Sequence, residues 1–380
     1  MHLPDYNGGS IVNLMSSIKS VFNSDYLYNP LMDFDIAPYK DRDIVFIVID
    51  GLGYDFLMKH GNNSFLKTNI RKKITSVFPS TTASAFTSLS TGVAPQQHGL
   101  TGWFIFLKET GILTSILPFV SRAGGISLSN IPFTDIYDQE SFFHDLNVNS
   151  FYILNENYVN SQCSKILGKG SRRMAFTDID SFIRRIKNVL DCSGERKFLF
   201  AYWDKFDETC HKEGVNSRAA REHFYMLDKE ICSLADSLKE EDVALILTSD
   251  HGLIDTSKER TVNLSDHSPL AETLTLPLSG EPRVAYCYVH PERTLDFENY
   301  VADRLHKYCD LYKSRELIEK NFFGLFEPNK KLYHRTGDYT LIMKENYIIK
   351  DLLSGEASKD FKGVHGGVSG GEMYVPLITV

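Results

Sequence analysis

Three short runs of apolar residues have the pattern of strands that are buried on both faces. They cover residues 43–50, 197–203 and 243–248. In each run, branched or aromatic side chains occupy odd and even positions alike, which is typical of the central strands of a parallel sheet. A shorter strand is predicted at residues 74–78.

Segments with the helical spacing of apolar residues alternate with these runs. The predicted helices cover residues 11–22, 54–60, 83–90, 178–190 and 217–238. The first buried strand leads through the turn Gly51-Leu52-Gly53 directly into the helix at 54–60. Such a strand–turn–helix unit predicts an α/β fold, in which binding sites lie at the carboxyl ends of the strands.

Two segments, at about residues 103–175 and 280–350, depart from this alternation. The first is rich in aromatic residues, Gly and Pro and contains short alternating pieces. The second is predicted to contain a strand at 284–289, a helix at 299–308 and a hairpin at 339–349. We interpret both as insertions that form a small cap on a single catalytic domain spanning residues 1–380.

The composition is ordinary for a globular protein, with 42% hydrophobic and 24% charged residues. The net charge of −8 argues against a nucleic-acid coat protein and against binding to an anionic membrane surface. Six cysteines without a Cys-x-x-Cys pair favour free thiols in a reducing compartment. No secretory signal is visible, and the longest strongly apolar run is too short to span a bilayer. We therefore predict a cytoplasmic protein.

Six acidic and imidazole side chains lie at strand ends, in a helical turn or in a Gly-rich loop, which are common positions for binding-site residues. One Asp ends the first buried strand, and an Asp–His pair follows the third. An Asp and a His four residues apart face the same side of a helical turn, and the last His lies in a Gly-rich loop. Each alone is better explained by a turn or a surface hydrogen bond, but together they have the pattern of one binding site. They are Asp50, Asp207, His211, Asp250, His251 and His365.

Three aspartates and three histidines suffice for two divalent ions, because zinc binds carboxylate oxygen and imidazole nitrogen with about four ligands per ion. Manganese or iron would fit similar ligands. Thr82 stands where the helix at 83–90 begins, and free backbone N–H groups there favour an anion. A Thr at this position is usually only an N-cap. Beside two ions, its hydroxyl would instead serve as a nucleophile for phosphoryl transfer.

The same residues belong to a series of motifs that spans residues 43–380. The motifs are Ile47-Val48-Ile49-Asp50-Gly51, Phe78-Pro79-Ser80-Thr81-Thr82 with Thr91-Gly92, His98-Gly99, Asp207-x-x-x-His211, Thr248-Ser249-Asp250-His251-Gly252 and Val364-His365-Gly366. Their order and spacing resemble the type I phosphodiesterase/nucleotide pyrophosphatase family of the alkaline phosphatase superfamily. One Asp-Gly or His-Gly would carry no weight, whereas the complete ordered set is specific.

The resemblance implies an alkaline-phosphatase-like, three-layer α/β/α core with a mainly parallel central sheet. It also implies a hydrolase of phosphodiester or pyrophosphate bonds, which uses two divalent metal ions, zinc first among them. Thr82 would attack phosphorus and form a phosphothreonine, with Thr81 as its rival. The implied ligands are Asp207, His211 and His365 for one ion, and Asp50, Asp250 and His251 for the other. The expected substrate is a small phosphate diester or a nucleotide.

Two departures from the family pattern concern the substrate side. Diesterases of this family often carry an Asn shortly after the His-Gly pair, where it binds a phosphate oxygen, but here that position is Trp103. Residues 83–86 also differ from the usual Phe-Pro-Asn-His. Trp103 either stacks on a flat group of the substrate or packs in the core. Trp103 and Thr81 are the candidate substrate-binding residues. The alternatives are a phosphomonoesterase, a phosphonate hydrolase or a phosphate mutase on the same scaffold, and a metal-binding module without catalysis.

Overall fold

A large mixed sheet runs through the centre of the protein in a computed structural model that describes residues 1–192, 194–356 and 360–380. The strands of the described chain are β1 (Asp43–Ile49), β2 (Ile70–Thr75), β3 (Phe104–Leu107), β4 (Ile112–Ser115), β5 (Val120–Ser121), β6 (Asn149–Asn155), β7 (Arg172–Phe176), β8 (Lys197–Trp203), β9 (Val243–Thr248), β10 (Ile254–Asp255), β11 (Thr261–Asn263), β12 (Ser279–Gly280), β13 (Val284–Cys287), β14 (Cys309–Lys313), β15 (Tyr339–Met343), β16 (Ile348–Lys350), β17 (Gly363–Val364) and β18 (Tyr374–Thr379).

The helices of the described chain are α1 (Ile11–Val21), α2 (Tyr54–His60), α3 (Phe65–Thr68), α4 (Thr82–Thr91), α5 (Pro95–His98), α6 (Phe133–Ile136), α7 (Gln162–Leu167), α8 (Ile179–Leu190), α9 (Lys205–Glu213), α10 (Arg218–Ser237), α11 (Ser268–Ala271), α12 (Thr294–Tyr300), α13 (Ser314–Glu319), α14 (Leu332–Arg335) and α15 (Gly370–Met373). Short 3₁₀ turns cover Ala37–Tyr39, Lys258–Arg260, Leu264–Asp266 and Pro291–Arg293, and a π-helical turn covers Val301–Leu305.

The central sheet has the strand order β2-β18-β9-β1-β8-β6-β7. Its five strands from β9 to β7 are parallel, and β18 runs antiparallel to both β9 and β2. Ile49 of β1 lies beside Trp203 of β8, and Val48 lies beside Thr248 of β9. These three strands therefore end at one edge of the sheet, and the residues that follow them meet there. The prediction of a mainly parallel sheet is confirmed.

Alternate residues of β1 enter two hydrophobic clusters on opposite faces of the sheet. Ile44 and Val48 pack with residues of α1 and α4, whereas Val45 and Ile47 pack with residues of α2, α8 and α10. Because both faces bury apolar side chains, the central strands appear in the sequence as continuous apolar runs. The predicted three-layer α/β/α core is therefore confirmed.

The long helix α10 is amphipathic. It buries Phe224, Leu227 and Ile231 against the sheet and leaves charged side chains such as Arg218 and Glu222 in solvent. Within the described ranges, no helix combines the length and the apolar character needed to cross a membrane.

A second sheet has the order β14-β15-β13-β12-β3-β4-β5, and its strands pair in the antiparallel sense. The predicted insertions 103–175 and 280–350 thus meet in one layer. β6 and β7 lie inside the first of these segments but pair in the central sheet. The part that leaves the central sheet therefore ends before residue 149. The pattern obscured this because β7 is an edge strand and carries exposed polar residues. That the chain is a single domain stays a prediction.

Three predicted elements are wrong in detail. The strand expected at 74–78 is β2, which ends at Thr75, and the chain then runs without regular structure to α4. The hairpin expected at 339–349 does not form, because β15 pairs with β13 and β14 while β16 pairs with β11. The helix expected at 299–308 is α12 followed by the π-helical turn. β15 and β16 are neighbours in the sequence but pair with other strands, and the local spacing of apolar residues cannot indicate such partners.

Candidate active site

The predicted site residues meet at the edge of the central sheet where β1, β8 and β9 end. They come from five segments of the chain, which converge at this edge. Asp50 follows β1, the pair Asp250–His251 follows β9, α9 after β8 carries Asp207 and His211, His365 follows β17, and Thr82 is the first residue of α4.

Asp207, His211 and His365 form a tight group, here called the α9 cluster. His211 Nε2 lies 3.1 Å from Asp207 Oδ2 and 3.2 Å from His365 Nε2. His365 Nε2 lies 3.9 Å from Asp207 Oδ1. The other ring nitrogen of His211, Nδ1, is 2.7 Å from the carbonyl oxygen of Gly363. A proton on Nδ1 donates there, and the Nε2 lone pair then faces the cluster.

Asp50, Asp250 and His251 form a second group, here called the β9 cluster, and Thr82 adjoins it. His251 Nε2 lies 3.4 Å from Asp50 Oδ1 and 3.5 Å from Asp250 Oδ2. The same nitrogen is 3.1 Å from Thr82 Oγ1. His251 Nδ1 lies 3.1 Å from the carbonyl oxygen of Gly252, which favours the proton on Nδ1. The Nε2 lone pair of His251 is therefore directed at the two acids and the hydroxyl.

Asp250 is held in place by donors on three sides. Its Oδ1 accepts from the backbone N–H groups of Gly51 at 3.1 Å and His251 at 2.9 Å. Its Oδ2 accepts from the Tyr202 hydroxyl at 2.9 Å. The hydroxyl of Ser76 also donates to its carbonyl oxygen. These bonds turn the chain sharply after β9, so that neighbouring Asp and His side chains reach one site. Tyr202 was missed in the sequence because it reads as one more residue of the apolar strand β8.

The two clusters adjoin each other. The rings of His251 and His365 are stacked with centroids 3.9 Å apart and planes 22° apart. Ligand atoms of Asp207, His251 and His365 all lie within 4.8 Å of one another, and so do those of Asp50, Asp250 and His251. His251 therefore borders both clusters, and the six predicted residues form one continuous donor set.

The two acids Asp50 and Asp207 of this donor set lie in different electrostatic surroundings. Burial, together with the charges of Asp250 and Asp207, raises the pKa of Asp50 well above its usual value. Burial also acts to raise the pKa of Asp207, but the neighbouring histidines outweigh it and lower that pKa. In the described chain, the buried atoms Asp50 Oδ1, Asp207 Oδ1 and His365 Nδ1 have no hydrogen-bond partner. Orphaned buried oxygens beside imidazole nitrogens fit divalent cations as the missing partners.

The two threonines at the start of α4 have different partners. The hydroxyl of Thr82 faces His251, whereas the hydroxyl of Thr81 donates to Glu281 Oε1 at 2.6 Å. Thr81 occupies the N-cap position but makes no side-chain capping bond. The first N–H groups of α4 have no partner inside the helix, which favours an anion beside Thr82. Gly92 ends the helix with a left-handed φ of 76°.

Trp103 lies at the start of the second sheet and is partly exposed. Its backbone N–H donates to Glu281 Oε1 at 2.7 Å, so one carboxylate oxygen joins Trp103 to Thr81. Sequence reasoning missed Glu281, because an acid between Gly280 and Pro282 reads as a solvated turn. Glu281 contacts Thr81 and Trp103, which are far from it in the sequence, so the local pattern does not indicate its burial.

Close contacts with neighbouring backbone leave no space for a side chain at Gly252, the residue after His251. A Cβ atom on Gly252 would lie 2.1 Å from the carbonyl oxygen of Gly371 and 2.8 Å from Cα of Gly53. The turn after β9 thus presses against the turn after β1 and against α15. Any side chain at Gly252 would force these turns apart and with them the residues of the β9 cluster.

Comparisons with known proteins identify the family of the chain. A family model described as Type I phosphodiesterase / nucleotide pyrophosphatase matches residues 44–116 and 129–368, which is most of the chain. Ectonucleotide pyrophosphatase/phosphodiesterase family member 5 of Homo sapiens is 22% identical over 334 residues. That alignment covers 81% of this chain and 66% of the human protein, just under two thirds of its length.

Solved structures of related proteins have a similar fold. Murine ectonucleotide pyrophosphatase/phosphodiesterase 5 superposes with a TM-score of 0.68 at 19% identity, covering 88% of this chain and 87% of that one. Its inactive threonine-to-alanine variant in complex with AMP gives the same values. The human protein gives a TM-score of 0.68 at 18% identity, covering 89% and 87%. At such identities the likeness concerns the fold, and it confirms the predicted alkaline-phosphatase-like architecture.

Proposed function

The chain belongs to the type I phosphodiesterase/nucleotide pyrophosphatase family, whose members are hydrolases acting on phosphate ester bonds, and we propose that it hydrolyses phosphodiester or pyrophosphate bonds of small nucleotide-type substrates. The observation that carries this proposal is the place of the Thr82 hydroxyl, 3.1 Å from His251 Nε2, where the β9 and α9 clusters meet. A nucleophile beside two adjoining groups of metal-type ligands is suited to in-line phosphoryl transfer.

In the proposed reaction, Thr82 Oγ1 attacks the phosphorus of the substrate in line with the leaving group. A bond forms between Oγ1 and phosphorus, while the bond from phosphorus to the leaving oxygen breaks and that oxygen keeps the electron pair. The hydroxyl proton of Thr82 passes to solvent. Water then attacks the phosphothreonine, restores the hydroxyl and releases the phosphate product. We assign the attack to Thr82 because the rival hydroxyl, that of Thr81, donates to Glu281.

Six side chains would hold two divalent ions at this site. When bound, such ions would lower the pKa of the Thr82 hydroxyl and neutralise charge on the phosphoryl oxygens. Imidazole and carboxylate donors make zinc the first candidate, with manganese and iron suited to a similar set. The proposed ligands are Asp207, His211 and His365 for one ion and Asp50, Asp250 and His251 for the other.

A nucleotide is the proposed substrate class. The murine relative is described in complex with AMP, which supports a nucleotide-type ligand for this chain as well. Trp103 is partly exposed and its backbone is tied to Glu281 at the edge of the site. Its indole offers a flat apolar face on which a base could stack.

The proposal is tested with purified protein and bis(4-nitrophenyl) phosphate. We expect turnover that a chelator abolishes and added zinc restores, and metal analysis should find about two ions per chain. Thr82→Ala should lower kcat by about 10⁴-fold, because it removes the nucleophile and leaves the ligands in place.

Thr87→Ala is the matched control, since Thr87 lies on the same helix and its hydroxyl donates to the carbonyl oxygen of Ala83 at 2.7 Å. It should keep kcat within about twofold of the wild type. Wild-type turnover by Thr82→Ala would remove Thr82 from the reaction. A wild-type protein that binds no divalent metal and cleaves no phosphate ester would contradict the function itself.

A further inference from the structure

A buried carboxylate of the second sheet lies in the wall of the candidate active site and takes no part in the proposed reaction. Glu281 Oε1 accepts hydrogen bonds from Thr81 Oγ1 at 2.6 Å and from the backbone N–H of Trp103 at 2.7 Å. Thr81 directly precedes Thr82, the proposed nucleophile. The carboxylate is therefore fixed one residue away from the reacting hydroxyl.

Glu281 also borders the loop that carries His365. A Cβ atom on the next residue, Gly366, would lie 2.9 Å from Cβ and 3.0 Å from Cγ of Glu281. The turn between β12 and β13 is closed by two backbone hydrogen bonds between Glu281 and Val284, at 2.8 and 3.1 Å. This turn holds the carboxylate between the loop of the nucleophile and the loop of His365, and its freedom to move away is small.

The protein shields Glu281 from most contact with water. It is 8% exposed, so water reaches it poorly. Burial raises its pKa to about 7, although the hydrogen bonds from Thr81 and from the Trp103 N–H act to lower it. The charged groups that face it from α9 are His211 and Asp207. The two donors to its Oε1 favour the ionised carboxylate, because an ionised carboxylate only accepts hydrogen bonds.

We propose that Glu281 is a specificity-determining residue that disfavours dianionic phosphate monoesters relative to monoanionic phosphate diesters. The inference rests on the proposed function, because it concerns which phosphate esters the same site accepts. A fixed negative charge repels a bound anion in proportion to the charge of that anion. An alkyl or aryl monoester carries about two negative charges at alkaline pH, whereas a diester carries one. A buried charge is screened little by salt, so the difference persists in the site.

The test uses Glu281→Gln, which keeps the shape and an accepting oxygen but removes the charge. The quantity measured is the ratio of kcat/KM for 4-nitrophenyl phosphate to that for bis(4-nitrophenyl) phosphate, in metal-loaded protein at about pH 8.5. We expect a ratio below unity in the wild type and a rise of about tenfold in the variant. Inorganic phosphate should also raise the unfolding temperature of Glu281→Gln more than that of the wild type, which reports binding without turnover.

Two further variants separate charge from packing. Thr81→Val removes one hydrogen bond but keeps the carboxylate, so the ratio should stay low even if kcat falls. Asp228→Asn changes another buried acid, which accepts from the N–H groups of Phe65 at 3.0 Å and Leu66 at 2.8 Å at the start of α3, and should leave the ratio unchanged.

The outcomes distinguish the inference from the function on which it rests. An unchanged ratio in folded Glu281→Gln overturns the inference and leaves phosphate ester hydrolysis standing. A wild-type ratio well above unity also overturns it, and this needs no variant to fold. If metal-loaded wild type turns over neither ester, the proposed function fails and the inference fails with it.

Discussion

The buried hydroxyl of Tyr202 contacts a proposed metal ligand but is not itself one of the six proposed ligands. It donates to Asp250 Oδ2 at 2.9 Å, and its ring packs edge-on against Phe86 with centroids 4.7 Å apart. Tyr202→Phe keeps the ring and removes only the donor. Hydrogen bonds to ligand residues orient them, so we expect the affinity for divalent metal to fall by about 10- to 100-fold. Competition with a chromophoric chelator measures that affinity.

Tyr288→Phe provides the control for Tyr202→Phe. Its hydroxyl donates to the carbonyl oxygen of His334 at 2.9 Å, away from the two clusters, so metal affinity should not change. Equal affinities in all three proteins would mean that Tyr202 does not orient Asp250 for a metal.

At the same scale, the sequence identified residues by their position at strand ends but not by the direction of their side chains. Asp50, Asp250 and His251 were predictable because each follows a buried strand. Thr81 and Thr82 were not separable from local pattern, and only the family resemblance favoured the second. The direction of each hydroxyl depends on where α4 begins and on Glu281, which comes from the other sheet. The catalytic roles of these residues stay predictions.

Among the elements, those with strong periodicity were predicted almost to the residue. β8 and β9 have the predicted bounds, α8 begins one residue later than predicted, and α10 is one residue shorter at each end. A strand buried on both faces gives a continuous apolar run, and a helix buried along one stripe gives apolar residues at helical spacing. Both patterns are visible in the sequence. β6, β7 and β15 were misjudged because edge position or distant partners decide their pairing. The pairing of a strand depends on another segment of the chain, so it cannot be predicted from the sequence of the strand alone.

His223 of α10 braces α9, the helix that carries two proposed ligands. Its Nε2 accepts from Trp203 Nε1 at 3.1 Å, and its Nδ1 lies 2.8 Å from Thr209 Oγ1. Burial lowers the pKa of His223 to about 4, below the usual value of a free histidine. A protonated ring would direct a second N–H at the indole N–H. The neutral ring therefore contributes stability above about pH 6.5, and this contribution is lost as the pH falls towards 4.

The loss amounts to about 3 kcal/mol of unfolding free energy. His223→Gln should show a smaller fall between about pH 7 and pH 4 in urea titrations than the wild type. His144→Gln changes a largely exposed histidine and should follow the wild-type curve. Parallel curves for His223→Gln and wild type would show that His223 is not the group responsible.

For the whole molecule, the site depends on contacts between segments far apart in the chain. Asp50 and His365 are separated by most of the sequence, and the second sheet joins both predicted insertions beside them. The sequence indicated the core layers and the existence of a cap. It did not indicate that the second sheet contacts the loop before Thr82, because these contacts join segments far apart in the sequence. Thr81 donates to Glu281, and Phe78 packs in one apolar cluster with residues of β13. The cytoplasmic location stays a prediction.

The buried pair Arg283–Glu372 joins the turn between β12 and β13 to α15. The guanidinium donates from Nε and Nη2 to both carboxylate oxygens at 3.0 Å, and each residue is almost fully buried. Glu372 also accepts from the N–H of Gly367 at 2.8 Å, in the loop of His365. Arg283→Met leaves this carboxylate without its countercharge, so we expect unfolding free energy to fall by about 3–5 kcal/mol, as measured in urea.

A charge-free pair should recover much of this loss, because removing both partners leaves no buried unpaired charge. We therefore expect Arg283→Met combined with Glu372→Leu to be more stable than Arg283→Met alone. Arg218→Met breaks an exposed pair with Glu222 on α10 and should change stability little. If Arg283→Met were as stable as Arg218→Met, the cap and the core would not be coupled through this pair. The metal affinity of the double variant then shows whether the His365 loop needs the ion pair itself or only a filled space between the sheets.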